Sequence, residues 1–219
     1  MSIAATVAVL TAVAYVVGAT PFGYLVASAK GIDIRQHGSG NIGATNVIRV
    51  LGRRVGVPVF ILDMLKGALP VIFADWWCSR DPVFAGQDAM RYLAEVMAGL
   101  GAVIGHNYTF WLQFKGGKGI ATSAGVLLGV APWVLLAVII VWVLTFALWR
   151  YVSLASIVSG VALPLAVLAQ GFFRGVFNFP LLALGTLMGA LAVWRHRSNI
   201  ARLRAGTEPR SGRGGGLVS

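Results

Sequence analysis

The sequence predicts an all-α integral membrane protein built as one bundle of seven transmembrane helices. Three observations carry that prediction. Hydrophobic residues make up 58% of the 219 positions and charged residues only 11%, with a mean hydropathy of +0.80, whereas soluble domains average roughly 45–50% apolar and about 25% charged. Long apolar stretches recur from Ile3 to Trp194. The basic residues gather in alternate connections between those stretches.

The first stretch, 3–25, has no basic segment before it and is long enough to cross a bilayer, so it reads as an uncleaved first helix. Further apolar stretches follow at about 55–73, 90–104, 120–131, 133–149, 152–168 and 177–194. A full crossing needs about 20 residues, so the third and fourth are undersized. Both adjoin the polar run "GHNYTFWLQFKGGKGIATS". Short helices at a polar run mark backbone that lines a site, because unpaired backbone is not tolerated against lipid. Pro132 makes a tight turn between the fourth and fifth stretches. Residues 1–208 read as a single membrane domain and 209–219 as a disordered tail, whose closing "GGGLVS" reads as a non-native appendage.

Charge sets the orientation. Of the 18 basic residues, 14 fall on one side: Lys30, Arg35, Arg49, Arg53, Arg54, Lys115, Lys118, Arg150, Arg195, Arg197, Arg202, Arg204, Arg210 and Arg213. That side is the cytoplasm, which puts the C-terminus inside and, with seven spans, the N-terminus outside. The net charge of +11 would suggest nucleic acid in a soluble chain. Here it is met by positive-inside loops and by anionic lipid or phosphate, and no nucleic-acid partner is expected. The lone Cys78 has no internal partner for a disulfide.

The chemistry lies in three cytoplasmic segments. "HGSGNIGATNVIRVLG" fits the letters of a dinucleotide loop, but a spanning helix precedes it where that motif needs a strand. Its glycines, Gly38 and Gly40 among them, leave backbone N–H groups for a phosphate where a helix begins, and Ser39, Asn41, Thr45, Asn46 and Arg49 add donors. A plain basic turn fits the same residues. "FKGGKGIATS" sets Lys115 and Lys118 around Gly116 and Gly117, then Gly119 and Thr122. It is no Walker loop, which needs Ser or Thr directly after the lysine. Two cations and bare backbone suit a dianionic phosphate.

In "WRHRSNIARLRAGTE", His196 and Asn199 are three apart and share a helix face, with Glu208 beyond. Histidine titrates near neutrality and suits proton transfer, while Arg202 and Arg204 also fit a basic tail on anionic headgroups. His106 is open to packing or function. Asp63 and Lys66 lie i, i+3 within the second stretch and Glu95 lies in the third. Intramembrane charge is costly and marks function by default, although Asp63 with Lys66 also fits a structural pair. Ser153 either packs against a neighbouring helix or caps its own.

These residues carry a resemblance. "GSGNIGATNVIR", "GHNYTFWLQFKGGKGIAT" and "RHRSNIARLRAGTE" resemble the three signature segments of the bacterial glycerol-3-phosphate acyltransferase family that uses acyl phosphate as donor, the PlsY family, and "LDMLKG" and "RYVSLASI" resemble its accessory stretches. The match runs in order from about residue 15 to residue 208. It departs at Asn107 and Thr109, where members often carry other residues.

The resemblance implies a seven-helix enzyme of the bacterial inner membrane that moves a fatty acyl group from acyl phosphate to the 1-hydroxyl of glycerol 3-phosphate. Lysophosphatidic acid and phosphate are the products. By motif, Ser39, Arg49, His196 and Asn199 become the catalytic positions, with Glu208 in support. Lys115 to Gly119 become the glycerol 3-phosphate loop; Gly38, Gly40, Asn41, Thr45, Asn46, Lys66, His106, Thr122 and Ser153 complete the binding set. No metal or other cofactor is expected, and neither coenzyme A nor acyl carrier protein is the expected donor. A monomer is expected, linked in function to the enzyme that makes acyl phosphate. The competing class, a transporter of an anionic metabolite, calls for polar residues along a path through the bilayer; polarity here gathers on one face.

Overall fold

The computed structural model describes residues 1–211. Most of the expected tail, 212–219 with Arg213 and the terminal GGGLVS, lies outside the described residues. Among the described residues every regular element is helical. The chain forms two compact units, Met1–Pro132 and Trp133–Ser219.

In the first unit α1 (Ile3–Gly18) starts on Ser2, whose hydroxyl accepts the Ala5 N–H at 3.3 Å. The first apolar span runs as one stretch, 3–28, as expected, but its helical bonding is interrupted at 19–21, because Pro21 has no N–H to continue the ladder and a second helix, α2 (Phe22–Ser28), starts after it. The Thr20 carbonyl left at the break accepts from Lys66 Nζ at 2.6 Å. α3 (Ala44–Leu51) is a separate eight-residue helix that ends at Gly52, φ +82°, directly before α4 (Arg53–Cys78). α5 (Asp88–Asn107) and α6 (Ile120–Val130) complete the unit.

The expectation of an undersized third span is corrected: α5 has 20 residues, because the helix runs on through Gly105, His106 and Asn107. Hydropathy stops short there, since His106 and Asn107 are polar, yet both are buried and helical. The fourth stretch is short as expected. The 11 residues of α6 rise only about 16 Å at 1.5 Å each. α4 outruns its expected ends on both sides and α8 its C-terminal end.

Helices in lipid gain little from burying apolar surface against one another, so close backbone approach at small residues does the packing. α1 meets α5 where Gly101 and Gly18 leave no room for a Cβ against the main chain of Thr11 and Ala102 respectively. α4 meets α6 in the same way, Gly125 against the Met64 carbonyl and Gly67 against the Thr122 carbonyl.

The second unit holds α7 (Pro132–Trp149), α8 (Val152–Arg174), α9 (Phe179–Arg195) and α10 (Arg197–Arg204). α8 and α9 cross at Gly160 and Gly189 and bury Leu163, Leu184 and Met188. Asn178 caps α9 by accepting the Leu181 N–H at 3.0 Å. The chain bends by 54° between α9 and α10, with His196 at the bend.

By length and composition, among the described residues, the stretches 3–28, 53–78, 132–149 and 152–174 are long and apolar enough to cross a membrane, and α9 with α10 adds a fifth if the bent pair is one span. Their outer faces are apolar: Leu69, Ile72, Leu144 and Leu165 are all exposed. Such a surface is stable against acyl chains and not against water.

Candidate active site

The first unit contributes two loops. In the first, Arg35 is used up locally: its guanidinium forks onto Asp33 at 2.9 and 2.7 Å, and these bonds hold the Asp33 carboxyl well down, to about 2. The centre of the loop is Asn46, 2% exposed at the start of α3. Its amide donates to the carbonyls of Asn41, His37 and Ile34 at 2.9, 3.0 and 3.3 Å. Its oxygen accepts the Ser39 N–H at 2.8 Å and Arg49 Nη1 at 3.3 Å. One buried side chain thus folds the loop and draws Ser39 and Arg49 to the same atom.

Gly38, at φ +60°, packs so close to the Asn46 oxygen that a Cβ would overlap it. Gly40 also needs its positive φ of +68°, and Asn41 turns the chain by accepting the Gly43 N–H at 2.9 Å. Ser39, Thr45 and Arg49 are exposed; Thr45 and Arg49 lie i, i+4 on one face of α3. Of the first loop's residues expected to bind, Asn46 is the one whose side chain is turned to the loop's own backbone.

The second loop hangs from the C-terminus of α5. The last carbonyls of a helix have no partner within it, and here Gly117 N–H donates to the His106 carbonyl at 3.0 Å and Gly116 N–H to the Asn107 carbonyl at 3.1 Å. This corrects the reading of the whole loop as bare backbone: two of its amides are the cap of α5. The glycines are required by proximity. A Cβ on Gly117 would overlap the His106 ring, and one on Gly116 the His106 carbonyl. Lys115 is exposed and Lys118 partly so. Thr122 is fully buried, with its carbonyl against Gly67.

Directly before the loop, Gln113 and Phe114 stand in left-handed backbone at φ 54° and 60°, which costs an L-residue roughly 1–2 kcal/mol each. Leu112 turns inward to the apolar cluster of Ala27, Ile34, Ile42, Ala44, Val47 and Val59. That cluster lies under the first loop, so both loops rest on one apolar cushion.

Behind the second loop lies buried charge. Lys66 pairs with Asp63 at 2.8 Å, both side chains 3% exposed, and Asp63 stands 3.7 Å from His106 Nδ1. Lys66 also lies 5.4 Å from the centre of the Phe22 ring. The structure thus holds Lys66 between the α1–α2 break and Asp63, and sets the His106 ring against Gly117.

The second unit, taken by itself, holds the other residues expected to act. His196, Asn199 and Glu208 are buried. His196 Nδ1 lies 2.7 Å from the Ala192 carbonyl, and a carbonyl only accepts, so Nδ1 carries the proton and Nε2 of the neutral ring is the acceptor. Asn199 donates to Glu208 Oε1 at 2.7 Å, and Arg202 Nε to Oε2 at 2.7 Å. Burial pushes the Glu208 carboxyl up, but the neighbouring Ser153, the bonds from Asn199 and Arg202 and the Arg202 charge prevail and leave it below its ordinary value.

Two readings are decided here. α8 starts at Val152 with Tyr151 at its N-cap, so Ser153 lies inside the first turn, buried, and its side chain does not cap the helix. Arg202 belongs to Glu208 rather than only to a headgroup surface. Its spacing of three from Asn199 carried that signal. Tyr151 and Arg210 had none: Arg210 Nε donates to the Tyr151 hydroxyl at 2.9 Å, and Ser211 N–H to the Arg150 carbonyl at 2.9 Å, which straps the segment after Glu208 to the start of α8.

Among the described residues no group of three or more His, Cys, Asp or Glu stands ready to hold a metal ion. The chemistry on offer is cationic and amide-rich, with one histidine of defined tautomer, and it suits a substrate carrying phosphate.

Comparison with known proteins agrees. Residues 8–206 match the family described as glycerol-3-phosphate acyltransferase. A glycerol-3-phosphate acyltransferase of Geobacter sulfurreducens is 47% identical over 203 residues, covering 92% of this chain and 96% of the relative. One of Geotalea daltonii is 46% identical over 198 residues, covering 89% and 92%. Among solved structures, the chain is similar to PlsY (YgiH), an integral membrane glycerol 3-phosphate acyltransferase, in its glycerol 3-phosphate form, with a TM-score of 0.81 and 40% identity over 94% of this chain and 96% of that one. The lysophosphatidic acid form of PlsY is matched at a TM-score of 0.79 and 39% identity, covering 94% and 95%. The chain is therefore a member of the glycerol-3-phosphate acyltransferase family, all-helical in its described residues and related to an integral membrane acyltransferase of phospholipid biosynthesis.

Proposed function

We propose that the protein transfers a fatty acyl group from acyl phosphate to the sn-1 hydroxyl of glycerol 3-phosphate, releasing lysophosphatidic acid and inorganic phosphate. The observation that carries the reading is the convergence of Ser39 and Arg49 on the Asn46 oxygen, in a chain 40% identical to an acyltransferase solved with glycerol 3-phosphate. Acyl phosphate is a mixed anhydride whose leaving group is already good. Such a reaction needs two polyanions oriented and an oxyanion stabilised more than it needs covalent chemistry.

In this reading Arg49, Lys115 and Lys118 hold phosphate, with Gly38, Gly40, Asn41 and Thr45 shaping and lining the first loop. Ser39 and Asn199 donate hydrogen bonds to the reacting groups, and Glu208 orients Asn199. The substrate hydroxyl attacks the acyl carbonyl, the carbonyl-to-phosphate C–O bond breaks, and phosphate leaves with that electron pair. The hydroxyl proton goes to His196 Nε2 or to a phosphate oxygen. A His196→Gln variant that retains substantial turnover assigns it to the phosphate.

The same reading sets seven spans in the bacterial inner membrane, the N-terminus outside, and the three signature segments in the cytoplasm. The domain is 1–208, followed by a short tail, and the protein works as a monomer beside the enzyme that supplies acyl phosphate. Purified protein in lipid vesicles, given acyl phosphate and glycerol 3-phosphate, should form lysophosphatidic acid and release phosphate in equal amounts. Activity with acyl-coenzyme A alone, or uptake of glycerol 3-phosphate without acylation, would overturn the proposal.

A further inference from the structure

The segment between α5 and α6 turns aromatic side chains outward. Trp111 and Phe114 are 63% and 60% exposed. The other exposed apolar side chains lie largely on spanning helices, but these two stand on a connection, and Phe114 directly precedes Lys115.

Their placement is built. The Phe110 ring lies against Trp111, with centroids 4.5 Å apart, and stacks on Tyr15 at 6.2 Å. The Tyr15 hydroxyl donates to the Tyr108 carbonyl at 2.9 Å, and the Thr109 hydroxyl to the Ala19 carbonyl at 2.5 Å. The connection is thus clamped to the end of α1. Leu112 points into the apolar cluster while its neighbours point away from it. Two consecutive left-handed residues, Gln113 and Phe114, then direct a phenyl ring outward. Backbone held in sparsely populated conformations clusters at sites of contact and function.

The chemistry of that partner is legible. Residues 108–119 contain Lys115 and Lys118 and no carboxylate. Aromatic rings next to lysines match the boundary of a bilayer, where rings settle among the headgroups and ammonium groups meet anionic lipid. We propose that Trp111 and Phe114 form an interfacial anchor, seated in a phospholipid surface with anionic headgroups, which holds the Lys115–Gly119 loop, expected to carry glycerol 3-phosphate, at the depth where a lipid-borne acyl donor presents its reactive carbonyl. The anchor itself stands on the loop geometry; its effect on the donor rests on the acyl-phosphate reading.

Two measurements test it in vesicles of phosphatidylethanolamine and phosphatidylglycerol. In the first, Trp111→Ser with Phe114→Ser is compared with the parent on hexadecanoyl phosphate, which resides in the membrane, and butanoyl phosphate, which is water-soluble. The expected result is a KM for the long-chain donor raised on the order of tenfold, the scale of losing two interfacial aromatic contacts, with short-chain kinetics and melting temperature unchanged. Equal losses on both donors, or no loss on either, would overturn the proposal.

The second measurement is independent of activity and separates the anchor from the acyl-phosphate reading. Phe114→Cys, in a Cys78→Ala background and carrying a polarity-sensitive label, should be quenched by brominated phospholipid and shielded from aqueous iodide. Quenching by iodide alone sinks the anchor. Shielding from both quenchers assigns the patch to a protein contact, such as a second copy, and sinks it equally. A parent protein inactive on either donor, with the label still quenched by lipid, leaves the anchor standing and overturns the reaction.

Discussion

Asn46 shows how one residue can organise a loop from within. Its five hydrogen bonds close the first loop and bring Ser39 and Arg49 together. Asn46→Ala removes the donor to the Asn41 carbonyl and the acceptor of the Ser39 N–H, while the Ile34 and His37 carbonyls keep backbone donors, at about 1–3 kcal/mol for a buried unsatisfied group. Its melting temperature and its kcat/KM should fall together. Arg49→Lys keeps the charge but loses the planar fork, so KM for glycerol 3-phosphate should rise more than kcat falls. Glu208 supplies a pH dependence. Its folded pKa lies below the ordinary value, first against burial and then through Ser153, Asn199 and Arg202. The stabilisation is therefore complete above the ordinary carboxylate range and is lost as pH falls through the lowered folded value. Melting temperature followed into acid should drop across that window in the parent, and Glu208→Gln should flatten that part of the profile. None of these partners is adjacent in sequence to Glu208, and only the Asn199–Arg202 spacing hinted at the cluster.

At the scale of elements, helix ends decide where function sits. The C-terminus of α5 must find donors for its last carbonyls, and it takes them from Gly116 and Gly117. The cap of α5 therefore lies within the loop proposed to hold phosphate. Gly117→Ala drives a methyl into the His106 ring, and overpacking of this kind costs typically 1–3 kcal/mol. The variant should lose most activity while Gly31→Ala, which has open space around it but a positive φ of +74°, should lose little. Parallel assays of the two variants check this. The sequence read α5 as undersized because its final turn is polar; the helix persists there because His106 and Asn107 are buried against the loop that caps them. The break at Pro21 was readable from proline chemistry, yet the apolar run concealed it.

At the scale of the whole molecule, the apolar outer surface and the polar loops divide the labour between lipid and phosphate. Four stretches pass as spans outright, and α5 and α6 do not, one being too polar and the other too short. A seven-span arrangement therefore asks those two helices to be sheltered by their neighbours, which the tight contacts of α4 with α5 and α6 support. Cysteines introduced one at a time near residues 2 and 209, in a Cys78→Ala background, test the topology. A membrane-impermeant maleimide applied to intact cells should label the first and spare the second. The reverse pattern, or labelling of both, would overturn the orientation.

The sequence by itself determined the membrane class, the helical class, the three signature segments and the family, because each is written in local properties: hydropathy, period, and runs of glycine with lysine or arginine. What only the tertiary structure decided is which of those residues meet. Asn46 bonds to its own loop, two loop glycines cap α5, Arg202 joins Glu208, and Lys66 is tied to Asp63 and the Thr20 carbonyl. The reason is that a hydrogen bond or an ion pair is a relation between distant residues. Sequence displays the groups that can make one, and only the folded chain determines which of them meet.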